Sequence, residues 1–493
     1  MKKLLLIVLG AILVLILVLV YRTQTMASRQ PPVEQDVTLA IDETAALARF
    51  AQSLTFPTVS SQDGGENTTT FLEFHAFLRD AFPKVHASLD VETIAGLSLL
   101  YTWPGSDPRM EPALLMGHLD VVPVSPGTEG DWDHPPFGGS IEDGYVWGRG
   151  SMDDKGTVMA LLDAVERLVD DGFAPRRTLY LAFGHDEELG GDNGAAAIVS
   201  ALESRGVARL AFVLDEGGAI SEGLIPGVEP PVAVIGIAEK GSVSLTLRVE
   251  GPGGHSSAPP TQTNIGILAA AITRLEADPF PMGLSDASRS FFDFVGPEMP
   301  FGRRLVFANL WLFEPLIVRG MASAPASRSS IQTTTAATII EGGVKSNVLP
   351  AKATATVNFR ILPGETPHSV ADRVKQVIDD DRVEVLGADS GREPSPISAT
   401  DSGVFRVLGR TIRETAGKNV IVTPYLVTAG TDARHYAGLS DNVYRFTPML
   451  MEEDVMTRVH GTNERLGVDS FVTYVRFFHR LVHNLDAMSP EGA

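Results

Sequence analysis

The sequence predicts an α/β protein: a mainly parallel central sheet with helices on both faces, an inserted α+β domain, and one transmembrane helix in front. Three observations carry this. From about residue 40, short apolar runs alternate with stretches of helical spacing. Near Glu239 the texture changes to strict apolar–polar alternation, and near residue 390 the first texture returns. The chain opens with Lys2 and Lys3, then an uninterrupted apolar run from Leu4 to Val20.

That first run has seventeen residues, about 25 Å of helix at ~1.5 Å per residue, near the lower limit for a ~30 Å hydrocarbon core. A cleaved signal peptide has an apolar region of only ~7–15 residues and a small-residue cleavage site; Thr25-Met26-Ala27 is a poor one. Residues 1–22 therefore read as an uncleaved signal-anchor. Lys2 and Lys3 stay in the cytoplasm, so the protein is single-pass with its folded part extracytoplasmic. Residues 23–39, polar with a Pro-Pro pair, read as a tether.

Residues 40–238 carry helical spacing at Ala45–Leu54, Phe71–Phe82 and Val158–Val169, with strand-like runs at Ala113–Met116, Thr178–Phe183, Leu210–Leu214 and Val232–Ile237. Residues 239–388 form the insertion. Its strands at Ser242–Val249, Thr335–Ile340 and Thr354–Ile361 each alternate, as for a sheet with one solvated face. Helices at Asn264–Leu275 and Pro367–Ile378 complete a small antiparallel sandwich. Residues 389–493 resume the α/β pattern and end in a helix at Ser470–Leu485.

Composition narrows the function. With 61 acidic and 40 basic residues the formal charge is −21, which repels phosphate backbones, so no nucleic-acid partner is expected. The chain has no cysteine, which excludes disulfides, thiolate metal sites and a cysteine nucleophile. At 44% hydrophobic residues it is not a disordered chain.

Five loops carry chemistry. Gly117-His118-Leu119-Asp120 follows a strand; two positions apart on extended backbone point the same way, so His118 can ligate a metal while Asp120 holds its other ring nitrogen. Asp153, in a glycine-punctuated loop before a helix, offers one oxygen to each of two cations, or caps the helix. Asp186-Glu187-Glu188 ends a strand, where sites gather in α/β folds. Glu452-Glu453, by contrast, reads as a solvated turn. Asp215 ends another apolar run, and His460 precedes the last helix. Together they supply what two divalent ions ~3.5–4 Å apart need: a bridging carboxylate, and a histidine and carboxylate for each. Imidazole with carboxylate suits zinc, with cobalt or manganese as substitutes.

The phrases GHLDVVPV, WGRGSMDDKG, GHDEELGG, LDEGG, GGHSS and SNVLP resemble the co-catalytic zinc metallopeptidases that include aminoacylase, glutamate carboxypeptidase and succinyl-diaminopimelate desuccinylase. The resemblance is strongest to the branch of vacuolar carboxypeptidase S and N-fatty-acyl-amino-acid synthase/hydrolase, and covers about residues 40–490. It implies a zinc-peptidase catalytic domain split by a lid, with two zinc ions per chain. One would be held by His118 and Asp215, the other by Glu188 and His460, with Asp153 bridging. Glu187 would be the general base and Asp120 would orient His118. His255 matches a lid histidine that stabilises the oxyanion and, in dimeric members, comes from the neighbouring subunit; a homodimer through the lid is thus expected. Asn347 and Arg360 match positions that hold a substrate carboxylate, with Arg434 a competing candidate.

The expected activity is hydrolysis of short peptides or N-acyl amino acids, with fatty-acyl amide synthesis and hydrolysis in both directions as the alternative. A membrane-tethered peptide-binding protein without turnover, or a dinuclear phosphoesterase, are readings from other classes. The long apolar stretch Phe291–Val318 inside the insertion is either further lid core or a rim for long acyl chains.

Overall fold

The computed structural model describes residues 1–33, 39–61, 67–223, 228–452 and 454–489. Part of the expected tether (34–38) and Glu453 of the expected acidic turn lie outside them.

Ten strands form the larger sheet. Its centre, Leu179–Gly184, Ala113–His118, Phe212–Asp215 and Val443–Arg445, is parallel. Asp90–Ile94 and Ser98–Trp103 extend one side antiparallel, and Val232–Glu239 pairs antiparallel with Val443–Arg445, so the sheet is mixed. Every residue of Ala113–His118 and Leu179–Gly184 is buried. Such strands show no alternation because both faces are covered. On one face lie the helices Lys155–Asp170 and Val468–Asp486, with Phe471 of the latter stacked on Phe50. Ala195–Ser204 and Asp432–Gly438 cover the other.

The second sheet has four antiparallel strands in the order Thr334–Gly342, Lys352–Ile361, Gly241–Glu250, Val383–Leu386. Here alternation survives: Val243, Leu245, Leu247 and Val249 face inward with Ala355, Val357 and Phe359. The helices Asn264–Ala277 and Pro367–Ile378 close that core, the second fixed by a Thr366–Ser369 capping box.

The apolar stretch Phe291–Val318 does not join the lid core; Phe294 enters the core of the larger sheet instead. Its helices Asp286–Val295 and Phe301–Ala308 leave the lid and pack beside the strand Ile421–Val427, and Leu310–Met321 packs on those two helices. Phe294 meets Phe405 at 5.6 Å between ring centroids. The N-terminal helix Lys2–Thr25 reaches the same place, where Arg22 Nε donates to the Ala308 carbonyl at 3.1 Å. Beyond it the chain is strapped down rather than loose. The Gln30 amide accepts from Val422 N–H and donates to Val422 C=O (2.8 and 3.0 Å), mimicking a further strand.

The last helix positions the His460 loop, and Glu414 of the helix Gly403–Ala416 clamps it. Its carboxylate accepts from Arg480 and Asn484 of the last helix (2.7 and 2.9 Å) and from Arg410 (2.7 Å). Burial raises the Glu414 carboxyl, but those hydrogen bonds together outweigh burial and hold it at about 2. A depressed folded value contributes stability that is complete above the unfolded value of ~4.3 and fades as pH falls toward 2. Glu414→Gln is expected to cost roughly 2–3 kcal/mol at neutral pH. In urea melts, the gap from the unsubstituted protein should narrow steadily below pH ~4.3.

Candidate active site

The carboxyl ends of three adjacent parallel strands deliver the reactive groups, as the crevice rule for α/β sheets requires. His118 is the last residue of Ala113–His118, Glu187 and Glu188 follow Leu179–Gly184, and Glu216 follows Phe212–Asp215. Asp153 arrives from the turn before the helix Lys155–Asp170, and His460 from the loop before the last helix.

Asp153 sits at the centre. One oxygen lies 2.9 Å from His118 Nε2 and the other 2.9 Å from His460 Nε2. Each histidine has a glutamate of its own: Glu216 is 3.6 Å from His118 and Glu188 is 3.3 Å from His460. His118 Nδ1 lies 3.0 Å from the Asp120 carbonyl and 3.3 Å from its carboxylate. The backbone N–H groups of Glu187 and Glu188 donate to the two Asp120 oxygens at 3.1 and 3.2 Å, so one aspartate ties the first two loops together.

So many acids at close range disturb one another. Burial, then the charges of Asp153 and Asp215, push Glu216 up to about 8. Burial raises Glu187 well above the usual carboxylate range; Glu216, Asp432 and Asp153 add to this against the opposing charge of His118. Hydrogen bonds to Asp153 and Glu188 push His460 up to about 10. These are the signs of a pocket that needs positive charge at its centre. Glu188 Oε1 and both oxygens of Asp154 are buried with no hydrogen-bond partner among the described residues. His118 with Asp153 and Glu188, and His118 with Asp154 and Glu216, each bring three ligand atoms within 4.8 Å of one another. Imidazole and carboxylate donors, with acceptor-only oxygens left unpaired, fit divalent cations.

Asp215 is not brought to His118. Its Oδ2 accepts from Ala433 N–H at 2.7 Å. Phe212 and Leu214 belong to the large core and Val213 to the smaller core on the opposite face, with Ala433. Alternation along the strand therefore sends Asp215 with Val213 and Glu216 to the site. The lid residues stand apart. His255 and Asn347 are exposed and adjacent, with Ser256 N–H donating to the Asn347 carbonyl at 3.2 Å. No hydrogen bond or ion pair among the described residues joins either to Asp153. Arg434 is spent on backbone, donating to the carbonyls of Thr431 (2.7 Å) and Gly190. Arg360, near the end of its lid strand, is exposed.

Three further residues belong here. Arg392 lies over Gly430, where an added Cβ would strike its guanidinium, and its charge is felt by Arg434, Glu239, Arg360 and Glu187. The buried pair Arg149–Glu464 joins two loops more than 300 residues apart: Glu464 accepts from Arg149 at 2.5 Å and from Met152 N–H at 2.9 Å, while Arg149 donates to the His460 and Gly461 carbonyls at 3.2 and 3.0 Å. Arg149 stands in the quoted phrase WGRGSMDDKG and Glu464 four residues after His460, yet nothing in their spacing says that they meet.

Residues 114–484 match the model of peptidase family M20/M25/M40. The chain is 43% identical to "Probable carboxypeptidase S-like 2" of Dictyostelium discoideum over 96% of this chain and 92% of that protein. It is 40% identical to "N-fatty-acyl-amino acid synthase/hydrolase PM20D1" of Xenopus tropicalis over 96% and 93%. The fold superposes on the M20 family metallo-carboxypeptidase Sso-CP2 of Sulfolobus solfataricus with a TM-score of 0.65 at 20% identity, covering 91% of this chain and all of that one. A match of this length, on a fold that converges histidines and acids at one sheet end, makes the chain a member of peptidase family M20/M25/M40 and a hydrolase of the metallopeptidase and amidohydrolase type.

Proposed function

We propose that this protein is a membrane-anchored, two-zinc amidohydrolase that removes the C-terminal residue of short peptides or the acyl group of N-acyl amino acids. One observation carries the reading: Asp153 is shared between His118 and His460, and each histidine keeps a separate glutamate. His118 with Glu216 would hold one ion, His460 with Glu188 the other, and Asp153 would bridge. Bound there, the metal pair supplies acidification of a water and polarisation of the scissile carbonyl.

The chain's own groups do the rest. Glu187, half-buried beside the cluster, takes the proton of the attacking water and returns it to the leaving amine nitrogen, so no net proton is consumed. The names of the relatives, a carboxypeptidase and an acyl-amino-acid hydrolase, share a free carboxylate next to the scissile amide. Arg392 with Arg360 supplies the positive side of an otherwise acidic cleft, and a guanidinium matches a carboxylate bidentately. His255 and Asn347 would reach the site from a second copy. The edge strand Thr334–Gly342, with Ile339 and Ile340 exposed, offers a surface for that pairing. The 24-residue helix Lys2–Thr25 contains an apolar run, Leu4–Val20, whose membrane-length window is unburied, as a single-pass anchor requires.

Four outcomes are expected of the purified full chain. Glu187→Gln should lose about 10²–10⁴-fold in kcat on N-acyl amino acids and dipeptides with its zinc content unchanged, because proton transfer and not ion binding is removed. Glu216→Gln should drop from two zinc ions to about one per chain by elemental analysis. Asp215→Asn should keep both; loss of zinc from Asp215→Asn alone would reverse the ligand assignment. Arg392→Met should lower kcat/KM by about 10–100-fold on substrates with a free carboxylate. On the corresponding amides, which lack that charge, it should have little effect.

A further inference from the structure

The helices Phe301–Ala308 and Leu310–Met321 expose large apolar side chains that none of the described residues covers. Phe301 is 56% exposed, Trp311 55% and Leu316 60%. The second helix is apolar on two sides at once. Ile317, Leu310 and Val318 pack inward with Leu284, Phe292 and Ile331, while Trp311, Leu312 and Leu316 point out. Glu314, its single acid, is turned to the body by Arg289 at 2.7 Å. A helix with a water-facing side would be polar there.

The place of this face in the fold decides what covers it. Arg22 Nε donates to the Ala308 carbonyl (3.1 Å), and Asn309 Nδ2 donates to the Leu19 carbonyl (3.2 Å). Leu19 is still inside the apolar run of the N-terminal helix, and Tyr21 and Arg22 mark its watery end. Met26 packs on Gly296, where a Cβ would come within 2.7 Å of it. The junction between the two short helices is thus pinned at the level where the first helix leaves the hydrocarbon. A tryptophan at that level is the residue type enriched at membrane–water boundaries. Charge agrees. Residues 301–329 hold four arginines (Arg303, Arg304, Arg319, Arg328) and one acid, in a chain of net charge −21.

We propose that Phe301–Met321 is a lipid-docking face, seated in the headgroup region of the same bilayer that Lys2–Thr25 crosses, its apolar side chains inserted and its arginines level with the lipid phosphates. The inference deepens the anchored-hydrolase reading and rests on it. It fixes the catalytic domain against the membrane instead of leaving it on a free stalk, and it makes acyl substrates dissolved in the bilayer the accessible class.

The chain contains no cysteine, so single labels are unambiguous. Leu316→Cys and Trp311→Cys, each carrying a nitroxide, are compared with Leu72→Cys on the exposed side of the helix Thr68–Ala81. Each full chain is reconstituted in phosphatidylcholine vesicles with about one third phosphatidylglycerol. At positions 316 and 311, accessibility to oxygen should exceed accessibility to a water-soluble nickel chelate several-fold, with the order reversed at 72. Nickel access at 316 and 311 equal to that at 72 overturns the proposal. So does exclusion of both probes with dipolar coupling between labels, which would make the occupant a second copy. An alkaline carbonate wash reads the anchor separately. Protein that washes off but showed lipid-shielded labels at neutral pH defeats the anchor and keeps the docking face; retained protein with water-exposed labels does the reverse; protein that never binds the vesicles defeats both.

Discussion

Six carboxylates (Asp120, Asp153, Asp154, Glu187, Glu188 and Glu216) crowd around two histidines at one end of a buried sheet, and their mutual repulsion governs everything else about the site. Two unit charges 4 Å apart interact by about 4 kcal/mol at an effective dielectric of 20, so several such pairs rival the net stability of an ordinary domain, about 5–15 kcal/mol. A chain that folds this way needs positive charge among those oxygens. The raised pKa of His460, at about 10, and that of Glu216, at about 8, express the same demand from opposite sides.

The scaffold meets the repulsion with rigidity. Asp120 is gripped by two backbone N–H groups of the Glu187 loop. The Arg149–Glu464 pair fastens the Asp153 turn to the His460 loop, with Glu464 also accepting from Asp153 N–H at 3.3 Å. A buried ion pair contributes little net stability once desolvation is counted. Its value here lies in register: it fixes two loops, far apart in sequence, within ångströms of each other. The helices Lys155–Asp170 and Val468–Asp486 then hold those loops from behind through the core. The acidic cluster at the sheet end and the apolar N-terminal helix are separate features of one frame, since the apolar helices of the insertion reach that helix and not the lid core.

The residues themselves disclosed much of this, and where they did not the reason is physical. The central strands stood out as short apolar runs, and the lid strands Gly241–Glu250 and Lys352–Ile361 by alternation, because those patterns report burial directly; the alternation read at Thr335–Ile340 did not, since that edge strand is exposed along most of its length. The insertion's helix Pro367–Ile378 has the bounds its spacing predicts. His118, Asp153, Glu188 and His460 were findable because chemistry-bearing residues at strand ends stand out against apolar neighbours. Asp215 and Glu216 were not separable: all four residues of Phe212–Asp215 are buried, so neither face is marked, and only the packing of Val213 with Ala433 reveals which acid turns inward. Arg392 carried no motif, and its approach to Glu187 depends on the lid crossing back to the main sheet. The stretch Phe291–Val318 was visibly apolar, but composition does not say which surface a helix will choose.

The centre itself can be observed directly by anomalous diffraction at the zinc absorption edge from crystals of the zinc-loaded full chain. Two peaks roughly 3.5–4 Å apart, astride the Asp153 carboxylate, with Glu216 beside the His118 peak and Glu188 beside the His460 peak, are what the arrangement predicts. A single peak, no peak, or a pair that takes Asp215 in place of Glu216 would contradict it.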